Sequence, residues 1–162
     1  MSQPPNIKGM GCGIHDSITL DARDAMKASL LASLRNTVER IELVDAPMSG
    51  SQLAAAGYDA IIVAEVEQYA VDLSVTSQLF TSNITADAKM RVAFKADARG
   101  GRTTGGSIED DASHTNSMGS LCSGAKPASS AAVQKLMGSV ASKISERVSN
   151  SERLRTAVKS RP

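Results

Sequence analysis

The strongest pattern in the chain runs from residue 84 to 98. Ile84, Ala86, Ala88, Met90, Val92, Phe94, Ala96 and Ala98 alternate there with Thr85, Asp87, Lys89, Arg91, Ala93, Lys95 and Asp97. A two-residue period of this kind fits a strand with one dry and one wet face. At ~3.3 Å per residue such a strand is long, so it is expected to twist or to extend beyond its sheet. Gly100-Gly101 then predicts a tight hairpin that returns Arg102 to Ala112 antiparallel. A two-residue turn would set Arg91 opposite Asp110 and Phe94 opposite Ser107, making the return strand polar and an edge.

Residues Asp59 to Val75 also read as strand, but their apolar phase changes partway. Ala60, Ile62, Ala64 and Val66 share one parity, whereas Tyr69, Val71, Leu73 and Val75 take the other. A bulge near Glu67–Gln68 would return both sets to one core; the competing reading turns the second set outward towards a partner. Two helices flank these strands. Met26, Leu30, Leu31, Leu34 and Val38 recur at helical spacing over 22–38, with Asp21 as a candidate N-cap. Ala131, Ala132, Val133, Leu136, Met137, Val140, Ala141, Ile144 and Val148 form the stripe of a second helix, with order resuming at Pro127. Short strands are predicted at Ile14–Leu20 and Ile41–Val44, and a helical turn at Gln52–Ala56 stopped by Gly57. The small polar residues of 113–130 predict a surface loop.

Together these elements predict an α+β domain in the order β-α-β-β-β-α. It would have a mainly antiparallel sheet of about four strands with two helices packed on one face. Residues 1–13, with two prolines and three glycines, read as a flexible tether; 14–158 form one domain and 159–162 a flexible tail. A chain of 162 residues suits a single domain.

Composition narrows the function. Aromatic residues are only 2% of the chain, so the core must be aliphatic and alanine-rich, and the usual stacking platform for nucleic-acid bases is missing. Eighteen basic and seventeen acidic residues leave a net charge of +1, which supplies no global field for nucleic acid or acidic membranes. No stretch approaches the ~20 apolar residues of a membrane span, and the start lacks the apolar run of a signal peptide. Cys12 and Cys122 are the only cysteines: one disulfide in an oxidising compartment, or two buried thiols in a reducing one.

Catalytic and metal patterns are weak. His15 or His114 would have to serve as base for a serine or cysteine nucleophile, yet neither sits in a nucleophile motif. Cys12 and His15 have a Cys-x2-His spacing, but His114 and Cys122 lack the paired spacing of a zinc site. The glycines at 9, 11 and 13 follow no strand and end in no Gly-Lys-Ser/Thr, and Glu65, Glu67 and Asp72 fit a solvated strand face. Arg99 and Arg102 flank the hairpin tip as ordinary solvated charges. The expectation is a non-enzymatic domain with no cofactor and no metal. Its interface would lie where the sheet pattern breaks: Tyr69, Val71, Leu73 and Val75 on one strand, Arg102 and Ile108 on the polar edge strand.

The strand Gly57 to Val66 (Gly-Tyr-Asp-Ala-Ile-Ile-Val-Ala-Glu-Val), the long alternating strand, the glycine turn and a closing helix that runs into Ser151–Leu154 carry a family likeness. Over about residues 14–158 this order resembles the small periplasmic lipoproteins of Gram-negative envelopes, in particular outer-membrane lipoproteins of the transport-auxiliary and assembly type. The resemblance implies an envelope assembly or scaffold role without catalytic residues. The breaks in the sheet pattern point to a partner protein or a second copy met through a sheet edge, charge and composition point away from nucleic acid, and membrane contact is expected only through a lipid anchor missing from this chain. Those lipoproteins have a leader ending in a lipidated cysteine; Gly9-Met10-Gly11-Cys12 has small residues before its cysteine and no hydrophobic segment upstream. If the protein is exported, Cys12 and Cys122 are expected to be bridged. The alternative is a cytoplasmic interaction or small-ligand-binding module.

Overall fold

The computed structural model describes residues 6–7, 22–77, 81–118 and 123–159. Three long strands form an antiparallel meander: β2 (Ala60–Ser77), β3 (Ser82–Ala98) and β4 (Thr103–Ser117). A two-residue strand, β1 (Asn6–Ile7), pairs in parallel with Asp72 and Leu73 on the outer edge of β2, giving the sheet order β1-β2-β3-β4. The α+β class stands, but the sheet consists of three long antiparallel strands and this short parallel addition, the latter inside the stretch expected to be a tether. The expected strand at Ile14–Leu20 lies outside the described residues. Ile41–Val44 forms no strand: Leu43 and Val44 are exposed, and Glu42 is held by Arg40 and by the Tyr58 hydroxyl. A β-branched run needs a neighbouring strand before it can become one.

The helices are α1 (Ala22–Leu34), α2 (Gly50–Ala56), α3 (Ala125–Ser149) and α4 (Glu152–Lys159). In α1 the expected stripe buries Met26 and Leu34, but the helix stops at Leu34 and leaves Val38 exposed. Ser49 caps α2 in a reciprocal box with Gln52, and Gly57 ends it in the left-handed conformation (φ 77°). α3 starts at Ala125, well before residue 131, because Pro127 falls in the first turn, where no intrahelical N–H is lost. Its buried residues run in two adjoining rows, Ala125, Ala128, Ala132 and Ser129, Val133, Leu136 at their head. The stripe is wide because α3 packs on β3 and β4 and also carries α1, which packs chiefly along α3. The two helices are therefore stacked, not laid side by side on the sheet as expected. Ser145 marks the α1 side, within hydrogen-bonding reach of the Ser33 carbonyl (3.4 Å) and the Thr37 hydroxyl (3.3 Å).

Burial along β3 follows its pattern, with every even residue from Ile84 to Ala98 buried. The ladder to β2 is continuous except at Glu67, where Val66 pairs with Val92 and the next paired residue, Gln68, sits opposite Arg91. This one-residue bulge places Ile62, Ala64 and Val66 opposite Ala96, Phe94 and Val92, and Tyr69, Val71 and Leu73 opposite Met90, Ala88 and Ala86. Both apolar sets thus meet the buried face of β3. Tyr69, Val71 and Leu73 are 9%, 4% and 2% exposed and Val75 packs against the same core, so the outward-facing reading of this segment is corrected.

The hairpin differs from the two-residue expectation in a consequential way. Its loop has three residues, Arg99, Gly100 and Gly101, closed by Ala98 N–H to the Arg102 carbonyl (2.8 Å), with Gly101 left-handed at φ 74°. The register therefore slips by one: Arg91 faces Glu109 and Phe94 faces Gly106. Such a slip exchanges the two faces of the return strand. Ile108 is consequently buried, and β4 runs on to Ser117 through residues expected to be loop.

Candidate functional site

The hydrogen-bond phase of β4 decides what its outer edge offers. Ala98 N–H bonds the Arg102 carbonyl and Met118 N–H bonds the Ser82 carbonyl, so the even-numbered residues between them form the hydrogen-bonded pairs with β3. The odd-numbered residues, from Thr103 to Ser117, point their N–H and C=O groups away from the sheet. Two local contacts agree with this phase. Arg147 of α3 donates to the Ser107 carbonyl (3.3 Å), and Asn116 accepts from Ser117 N–H with its side chain (2.9 Å). Between these two caps lies a window, Glu109 to Thr115, whose outward backbone groups belong to Glu109, Asp111, Ser113 and Thr115 and meet no backbone partner among the described residues. Within it the Asp111 N–H is turned to the neighbouring Asp110 carboxylate, which it helps to hold ionised.

Acidic side chains dominate this window. Glu109, on the wet face, accepts from Arg91 through both Nε (3.1 Å) and a terminal nitrogen. Glu67, the bulge residue, reaches across β3 to the Ser107 hydroxyl at 3.5 Å. Asp110 points the other way, towards α3, where one carboxylate oxygen accepts from Ser139 (2.6 Å) and pairs with Lys143 (2.8 Å). Partial burial is the largest single influence on this carboxyl and opposes ionisation, but the bonds from Lys143 and Ser139 together hold it below its usual range. Asp111 sits across from Lys89, yet no ion pair engages it among the described residues. β4 contains no Lys, Arg or Pro and its pairing with β3 has no register shift, so of the devices that guard an edge strand it has acidic charge alone, at Glu109, Asp110 and Asp111.

Of the residues singled out from sequence, Arg102 is exposed at the hairpin end, while Tyr69, Val71, Leu73 and Ile108 are core. The Tyr69 hydroxyl is buried with no hydrogen-bond partner among the described residues, and burial pushes its pKa up to about 12. His114 lies half-buried on β4. Cys12, Cys122 and His15 lie outside the described residues. No cluster of three potential metal ligands occurs among the described residues, and no helix there is long and apolar enough to cross a membrane. Sequence reasoning missed Glu109, Asp111, Ser113 and Thr115 as a unit; a three-residue loop at Arg99–Gly101 was the signal that would have phased them.

No family model matches the chain, and no curated protein matches its sequence. Among solved structures it is similar to a minor lipoprotein from Acinetobacter baumannii, with 11% identity, a TM-score of 0.48, and coverage of 80% of this chain and 85% of that one.

Proposed function

We propose that the chain is a non-enzymatic assembly or scaffold domain of the cell envelope, periplasmic and associated with the outer membrane, that acts by protein–protein contact at the outer edge of β4. The observation that supports contact there is the window at Glu109–Thr115, whose outward groups meet no backbone partner among the described residues, bounded by Arg147 and Asn116. Edge strands left open in this way accept a further strand through main-chain hydrogen bonds. The envelope half of the reading rests on the likeness of Gly57–Val66 and Ser151–Leu154 to small periplasmic lipoproteins.

Each half has its own test. Fractionation of the native protein, with its genomic start codon established, is expected to place it in the envelope; a cytosolic protein with no upstream leader overturns that part. Ser113→Pro removes an outward N–H and no ladder bond to β3, so the fold should survive while strand addition fails. The native protein is expected to migrate in a complex that Ser113→Pro dissolves with circular dichroism unchanged. A complex untouched by this variant moves the contact away from β4.

A further inference from the structure

Resting on the reading of β4 as an open edge, we infer that its occupant is an extended segment of a protein partner that carries Lys or Arg on the face shared with Glu109 and Asp111. An added strand meets β4 through the outward groups of Glu109, Asp111, Ser113 and Thr115. Side chains of directly opposed residues then lie on the same face. The wet face of the window therefore presents Glu109 and Asp111 side by side, followed by the neutral Ser113 and Thr115. Arg91 already neutralises Glu109; Asp111 lies across the ladder from Lys89 but is in no ion pair among the described residues, and the strand carries no Lys or Arg of its own. A basic residue opposite Asp111, with another two positions along, completes this face; an acidic one meets repulsion.

The same charges disfavour a second copy. A two-fold antiparallel pairing of β4 with β4 that uses the whole window is centred on Ala112: Glu109 then faces Thr115, Asp111 faces Ser113, and the two Asp111 carboxylates lie on a diagonal within reach of one another. Such a pairing brings like charges together and adds no basic residue between them. Caps at Ser107 and Ser117 also limit the site to about seven residues of strand, enough for a peptide-like segment and short for a dimer interface.

Two synthetic dodecapeptides, one alternating Thr with Lys and the other Thr with Glu, test the inference against the full-length protein by amide hydrogen exchange and nuclear magnetic resonance titration. In the free protein the amides of Glu109, Asp111, Ser113 and Thr115 are expected to exchange faster than those of Ala112 and His114. Slow exchange at all six in a protein shown to be monomeric means the edge is covered, and overturns the underlying reading. The Thr-Lys peptide is expected to protect the four amides and to bind about fivefold more tightly than the Thr-Glu peptide, with the difference shrinking in high salt. Asp111→Asn should remove most of that preference, whereas Ser113→Pro should remove binding of both peptides. Equal binding of both peptides, no protection by either, or a concentration-dependent homodimer protected at the same amides overturns the basic-partner inference.

Discussion

Deleting Glu67 should leave the fold intact, although the residue lies in the middle of an eighteen-residue strand. Val66 and Gln68 pair with consecutive residues of β3, Val92 and Arg91, so Glu67 is the one residue of β2 without a partner there. Its removal turns the bulged ladder into a regular one and keeps every other inward side chain inward. The interaction lost is a long hydrogen bond from Ser107 at 3.5 Å, and the expected cost is below about 1 kcal/mol. Inserting an alanine after Gln68 is the opposite perturbation. It reverses the parity of Tyr69, Val71 and Leu73, each worth about 1.5–3 kcal/mol when buried, so about 4.5–9 kcal/mol is at stake. That approaches the whole stability of a typical domain, about 5–15 kcal/mol. Urea melts followed by far-ultraviolet circular dichroism compare the two variants with the parent. A deletion that costs more than about 3 kcal/mol, or an insertion tolerated as well as the deletion, would refute the one-residue account of the bulge.

Leu73→Asp places a carboxylate in a position 2% exposed and should cost more than about 4 kcal/mol, visible as loss of the cooperative thermal transition; a folded variant would return Leu73 to the surface. Tyr69→Phe removes a buried hydroxyl that has no partner among the described residues and should stabilise by up to about 1–2 kcal/mol in denaturant melts, whereas destabilisation would reveal a hydrogen bond from elsewhere in the chain. Asp110 has a lowered pKa, so its contribution is present above the carboxylate's unfolded value and is lost as pH falls through the folded one. Lys143→Met should raise the Asp110 pKa by carbon-detected titration and move acid unfolding to higher pH; unchanged values would mean that Lys143 does not hold the carboxylate.

Much of the sheet was legible because burial imposes its period directly on sequence. The alternation of 84–98 located β3, and the phase change between Val66 and Tyr69 located the bulge, since one face of β2 must remain dry on both sides of it. The register of β4 was not legible. Gly100-Gly101 fits a two-residue or a three-residue loop, and the choice between them decides whether Glu109 or Asp110 shares a face with Arg91. The end of β4 was hidden for a related reason. Ser113 to Ser117 have loop composition, and they stay extended because Asn83 to Asp87 of β3 run alongside them. Ile41–Val44 erred the other way, with strand propensity but no ladder among the described residues. The edge window depended on the loop length, so the site could be phased only once the hairpin geometry was known.

The double-sided burial of α3 governs the order in which this protein can mature. Everything that α3 covers, the dry face of β3 and β4 on one side and α1 on the other, is synthesised before it. Until Ala125–Ser149 docks, the meander has its aliphatic face open to water, and α1 lacks the helix it stacks on. Closure then joins segments about a hundred residues apart, a non-local step of the kind that slows folding and lengthens exposure to aggregation. A chain cut short before α3 is therefore not a smaller version of the domain: it keeps the strands but leaves the aliphatic face of β3 and β4 uncovered, the exposure that favours aggregation.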